Sequence, residues 1–219
     1  MENGTTFTMP RIGDKAPDFQ ANTTTGPLKF SDYNKDSWVI MFSHPADFTP
    51  VCTTELSGFA QEEEWFRQRN TKLIGLSIDS IHSHVAWVDN VRRNLGIYMR
   101  FPIIADIDMK VAKMYGMLQP GESETAAVRA VFFVDPAGTI RLIMYYPLNV
   151  GRNMVEIKRV LEALQTTSKH GVACPLNWQP GEKVIVPPPK DLKALDERLA
   201  SNLEMVDFYL ARKPDPAMN

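Results

Sequence analysis

Runs of apolar residues of strand length alternate in this chain with stretches whose apolar positions fall at helical spacing. Trp38–Ser43 reads as a strand covered on both faces, and Leu73–Ile78 as another. Between them Leu56, Phe59, Ala60 and Phe66 recur on one helical face that carries to about Asn70. Strand, helix and strand in this order imply a right-handed parallel crossover. A second helix is predicted over Ser83–Leu95 with Gly96 at C′, and a short one over Asp108–Tyr115 closed by Gly116. Ala130–Asp135 and Ile140–Tyr145 flank Pro136-Ala137-Gly138-Thr139, which predicts a hairpin with a loop longer than two residues. Asn153–Gln165 is helical again through Met154, Ile157, Val160, Leu161 and Leu164. Near the start, Pro17-Asp18-Phe19 and the Gly26-Pro27 turn predict short extended pieces and tight corners. The expected fold class is α/β, a central mixed β-sheet flanked by helices.

Beyond Lys169 the pattern changes. Val186-Pro187-Pro188-Pro189 is a stiff extended spacer, and a charged helix is expected from about Asp191 to Ser201. We expect a main domain over 1–170 and a C-terminal arm over 171–219, packed on that domain or on a second subunit. With 44% apolar residues, the 219-residue chain can build a substantial core. A net charge of −2 gives no reason to expect nucleic acid or an anionic membrane as partner. No run reaches the apolar length of a membrane span, and Met1–Gly13 lacks the apolar stretch of a secretory signal. Two cysteines more than a hundred residues apart make no disulfide scaffold, so a reducing cytoplasm is expected.

The chemistry concentrates in Pro45-Ala46-Asp47-Phe48-Thr49-Pro50-Val51-Cys52. Thr49 suits an N-cap and Pro50 the first helical position, which puts Cys52 in the first turn of a helix. Unpaired N–H groups and the positive end of the helix dipole favour an anion there, so a thiolate nucleophile is expected. Ionisation alone is worth only ~2 kcal/mol for a thiol shifted from about 8.5 to about 6. Further acceleration needs fixed donors aimed at the transferring oxygens.

The Pro-x-x-x-Thr-x-x-Cys spacing resembles the active-site signature of the peroxiredoxins, which are thiol peroxidases. The longer run Phe42–Leu56 is similar to their one-cysteine, peroxiredoxin-6-like branch. The similarity continues through Val128–Phe133, Tyr146-Pro147, Gly151-Arg152-Asn153 and Pro175–Gly181. This resemblance implies a thioredoxin-like fold and reduction of hydrogen peroxide and alkyl hydroperoxides through a sulfenic acid at Cys52. It implies that Thr49 bonds the thiolate or peroxide, that Arg129 favours the thiolate and holds the peroxide, and that Pro45 shields the pocket. Glu55 is implied to orient the arginine, and His44 and Arg152 to lie near the pocket. No metal or organic cofactor is implied. An external thiol supplies the electrons, and a homodimer or a larger ring, a decamer for instance, is expected. A redox-regulated chaperone or peroxide sensor controlled by Cys52 is the alternative function.

The chain departs from the family pattern at Cys174, in Ala173-Cys174-Pro175, because that branch lacks a resolving cysteine. Cys174 could resolve the sulfenic acid, but a packed small residue is the preferred reading. No Cys-x-x-Cys motif points to a dithiol reductase. Some relatives carry a lipase motif with a histidine and an aspartate. The matching segment here, Lys35-Asp36-Ser37-Trp38-Val39, lacks both glycines, and the partner positions hold Ser31 and Ala137, so lipase activity is rejected. His82, His84 and His170 read as solvated or structural rather than as metal ligands.

Overall fold

The computed structural model describes residues 9–218, so most of the segment read for a secretory signal lies outside the described residues. The described residues group into two compact units that divide between Arg152 and Asn153. The boundary lies before the last long helix, whereas the sequence reading placed it after that helix.

In the first unit, β1 (Gln20–Thr23) and β2 (Gly26–Lys29) form an antiparallel hairpin, followed by the short α1 (Phe30–Asn34). Then come β3 (Trp38–Ser43), α2 (Pro50–Gln61), α3 (Glu63–Gln68), β4 (Thr71–Ser77) and α4 (Ile81–Leu95). β5 (Ile103–Ala105), α5 (Lys110–Met114), β6 (Arg129–Val134) and β7 (Ile140–Tyr146) complete it. The sheet order is β2-β1-β5-β4-β3-β6-β7. β3 runs parallel to β4 and antiparallel to β6, so the sheet is mixed, as the pattern predicts. Every residue of β3 and β6 is buried, which explains their unbroken apolar runs. Phe19, Phe30, Met41, Ile74, Tyr115 and Phe132 belong to the central core cluster.

Three local details differ from expectation. The helix after Cys52 breaks at Glu62, whose ψ of 1° separates α2 from α3, and no glycine or proline in the sequence marks that break. α4 begins earlier than Ser83, because Ser80 caps it by accepting the Ser83 N–H. Its predicted end holds, with Gly96 left-handed at φ 69°. α5 has no side-chain cap from Met109; instead Asp106 accepts the Val111 and Ala112 N–H groups at 2.9 and 2.6 Å.

In the second unit, α6 (Met154–His170) starts at Asn153, whose side chain accepts two backbone N–H groups, and runs beyond Gln165 to Gly171 at φ 61°. β8 (Val184–Val186) leads into the proline run, α7 (Leu192–Leu199) is capped by Asp191, and β9 (Glu204–Asp207) and β10 (Leu210–Lys213) complete a three-stranded sheet, β8-β10-β9. Val172, Val184 and the fully buried Trp178 form its core, with Ala163 and Cys174 against them.

Candidate active site

The C-terminal end of β3 delivers the chain into a loop, Pro45 to Thr49, that opens α2. Pro50 occupies the first helical position, and the helical ladder begins with Thr53 N–H on Thr49 O, so the Val51 and Cys52 N–H groups precede it. Cys52 is completely buried. Thr49 is the N-cap residue by position, but its hydroxyl makes no cap bond. It donates to Ala46 O at 2.8 Å and therefore offers only lone pairs to anything else, which corrects the expected side-chain cap.

Arg129, the first residue of β6, reaches the cysteine across the sheet. Its Nη1 lies 3.3 Å from Cys52 Sγ and 2.7 Å from Glu55 Oε2. Nε and Nη2 both donate to Leu148 O, at 2.9 and 2.6 Å. Arg152 holds the other side of Glu55: its backbone N and Nε meet Oε1 at 2.7 and 2.9 Å, and Nη2 meets Oε2 at 2.7 Å. Arg152 Nη1 ties Ser43 O and Ala130 O together. Its guanidinium also lies over the Phe42 and Phe59 rings, at 5.4 and 5.7 Å. All three charged side chains are buried, to 5% exposure or less. Burial pushes the Glu55 carboxyl up, but Arg152 and then Arg129 outweigh it and hold it below the usual range. Burial pulls Arg152 down, against the opposing pull of Glu55.

A second polar group braces the loop. The Asp47 carboxylate receives His44 Nε2 at 3.0 Å and His84 Nδ1 at 2.8 Å, and the Asp47 N–H donates to Asp79. Burial opposes ionisation of Asp47, but the two histidines prevail and hold it at about 2. The structure thus brings Cys52, Glu55, Arg129 and Arg152 into one bonded network. His44 sits fully buried at the end of β3, and half-buried Pro45 follows it in the loop. Sequence reasoning assigned nothing to Asp47 and read His84 only as solvated or structural. The His44-x-x-Asp47 spacing was the available signal for the first; nothing local signals that α4 brings His84 to it.

His44, Asp47 and His84 place their donor atoms within 4.8 Å of one another, a spacing a metal could use. His44 Nε2 and His84 Nδ1 already bond the Asp47 carboxylate, so the trio reads as a hydrogen-bonded cluster. His82, two residues before His84, is exposed and takes no part. Cys174 lies in the second unit, half-buried, with Sγ 3.9 Å from Ala163 O. Burial, with Asp215 adding and Arg159 opposing, pushes its thiol up.

Comparison with known proteins completes the identification. Residues 12–143 match the AhpC/TSA family, and residues 163–201 match the C-terminal domain of 1-Cys peroxiredoxin. The chain is 53% identical over 216 residues to peroxiredoxin 2 of Caldanaerobacter subterraneus subsp. tengcongensis, covering 97% of each. It is 52% identical to a peroxiredoxin of Methanosarcina mazei, covering 94% of this chain and 99% of that one. Among solved structures, the yeast mitochondrial 1-Cys peroxiredoxin matches with a TM-score of 0.84 at 43% identity, covering 94% of this chain and 100% of that one. A cysteine-to-serine variant of peroxiredoxin 6 from Arenicola marina matches at 0.85 and 38% identity, covering 94% and 99%. The fold is therefore thioredoxin-like, and these likenesses favour the enzyme over the chaperone or sensor. The chain belongs to the peroxiredoxins, in their one-cysteine, peroxiredoxin-6-like subfamily, and is a thiol-dependent peroxidase.

Proposed function

We propose that Cys52 is the peroxidatic nucleophile toward hydrogen peroxide and alkyl hydroperoxides. Arg129 and Thr49 address the peroxide, Pro45 shields the pocket, and Glu55 and Arg152 hold Arg129 in place. The observation that carries this reading is the single Arg129 Nη1 shared between Cys52 Sγ at 3.3 Å and Glu55 Oε2 at 2.7 Å. The thiolate attacks one peroxide oxygen; an S–O bond forms as the O–O bond breaks. The departing alkoxide or hydroxide takes a proton and leaves as alcohol or water. Sulfur loses two electrons to the peroxide and becomes a sulfenic acid. Arg129 answers the charge that develops on the oxygens. With its own proton on Ala46 O, Thr49 accepts the peroxide O–H, which orients the attack.

An external thiol then forms a mixed disulfide with Cys52 and releases water, and a second thiol frees Cys52 and leaves as a disulfide. The yeast relative, whose thiol is resolved through glutathione and thioredoxin systems, supports this source of electrons. So does Cys174, whose sulfur is packed in the second unit and held in the thiol form. Intact-protein mass spectrometry after one equivalent of hydrogen peroxide, without reductant, tests the assignment. Oxygen adducts at Cys52, alike in wild type and Cys174→Ser, are expected. A disulfide formed by wild type alone would make Cys174 the resolving residue, and an unmodified Cys52 would refute the nucleophile.

Two cysteines more than a hundred residues apart make no disulfide scaffold, which supports a reducing cytoplasm as the site of action. No described helix is long and apolar enough to cross a membrane. The working unit is a homodimer or a larger ring, of which a decamer is one form. β7 supports this: it closes one edge of the seven-stranded sheet, and a seven-residue edge strand invites pairing with another chain. Light scattering should give at least twice the chain mass of 24.8 kDa, and a monomer mass would overturn it.

A further inference from the structure

The loop before Cys52 is strained. Phe48 stands in the left-handed region at φ 54° and is 56% exposed. A bulky residue there persists only where its surroundings over-determine it. The neighbouring residue supplies that restraint. Asp47 is bonded through its carboxylate to His84 on α4 and to His44 at the end of β3, and through its N–H to Asp79, itself fixed by Ser77 Oγ at 2.6 Å.

The protons in this cluster follow from its acceptors. His84 Nε2 lies 3.0 Å from Ile104 O, which can only accept, and Nδ1 faces the Asp47 carboxylate, which can also only accept. Both ring nitrogens of His84 must therefore carry hydrogen. His44 also donates through Nε2 to Asp47, but its Nδ1 is buried without a partner. A second proton on His44 would bury an unmatched N–H, whereas on His84 it completes a bond to Ile104 O. The titratable groups acting on His44 are Asp47, His84 and Asp79; burial pulls it down despite Asp47.

The geometry points to Asp47 and His84 as positioning residues for the peroxidase reaction: a buried carboxylate–imidazolium clamp that holds the strained cysteine loop in place and leaves His44 neutral. The inference rests on Cys52 being the reacting residue. Its first test does not depend on that reading, so the two can fail separately.

Nitrogen-resolved NMR of the imidazoles at neutral pH reads the protons directly. In His82→Gln/His170→Gln protein only His44 and His84 remain. One ring should show two protonated nitrogens and the other one protonated and one bare. Two neutral rings, or two charged rings, would overturn the assignment. The second test is stopped-flow oxidation of His84→Gln and Asp47→Asn. Releasing strain of the size stored at Phe48 should slow the peroxide step by on the order of tenfold. Phe48→Gly removes that strain and should restore part of the rate in the His84→Gln background, which a merely destabilised protein would not show. A His84→Gln rate within about twofold of wild type, or no recovery on adding Phe48→Gly, refutes the clamp.

Discussion

Exchanging Arg129 for lysine is expected to slow reaction with hydrogen peroxide by on the order of 10²–10³ while leaving Cys52 in place, because one preorganised donor set is lost. Lysine keeps the charge, but one ammonium cannot reproduce what the guanidinium does here. Nη1 is shared between the sulfur and Glu55, while Nε and Nη2 are both spent on Leu148 O. That carbonyl fixes the plane of the fork, and the plane decides where the N–H vectors point when a peroxide arrives. Stopped-flow fluorescence, following oxidation at several peroxide concentrations, gives the second-order constant directly. The loss should appear in that constant and far less in reaction with a neutral alkylating agent, which breaks no O–O bond. A constant within about fivefold of wild type would mean that charge alone suffices and that the fork geometry is incidental.

How much of this could be read beforehand depended on range along the chain. The Thr49-Pro50 helix start was local chemistry, and it set Cys52 in the first turn of α2. The strands were legible because β3 and β6, buried on both faces, leave no polar position to interrupt the run. The helix ends at Gly96 and Gly116 were legible because a left-handed residue there favours glycine. What stayed hidden was set by contacts distant in sequence. Arg129 meets Glu55 only because β6 pairs with β3 beside α2, so its role came from the family resemblance and not from periodicity. The hydroxyl of Thr49 turns to Ala46 O instead of capping, a choice that depends on how the loop folds back. His84 reaches Asp47 from a helix on another stretch of chain, and a histidine on an amphipathic helix gives no sign of such a partner. The positive φ of Phe48 was equally invisible, since nothing about phenylalanine favours it.

Glu55→Gln should cost more stability than a typical single substitution, about 3–5 kcal/mol, because one carboxylate neutralises two buried guanidiniums. Arg129 and Arg152 expose 3% and 1% of their side chains, so water cannot take over the lost charge. The amide keeps one acceptor where four bonds arrived, from Arg129 Nη1 and from Arg152 N, Nε and Nη2. Arg152 also joins Ser43 O to Ala130 O, so its displacement loosens the β3–β6 seam under the cysteine loop. Urea unfolding followed by circular dichroism measures the loss, and a difference below about 1 kcal/mol would show that the two arginines find other compensation. The pH dependence gives an independent check. The folded-state pKa of Glu55 lies below its unfolded value, so its contribution is fully present above about pH 4 and is lost as pH falls through the folded value. The gap between wild type and Glu55→Gln should therefore be widest near neutrality and narrow in acid. A gap that stayed constant into acid would point to lost packing at Glu55. A narrowing gap identifies charge as the source of stability, and that same charge holds Arg129 against the sulfur.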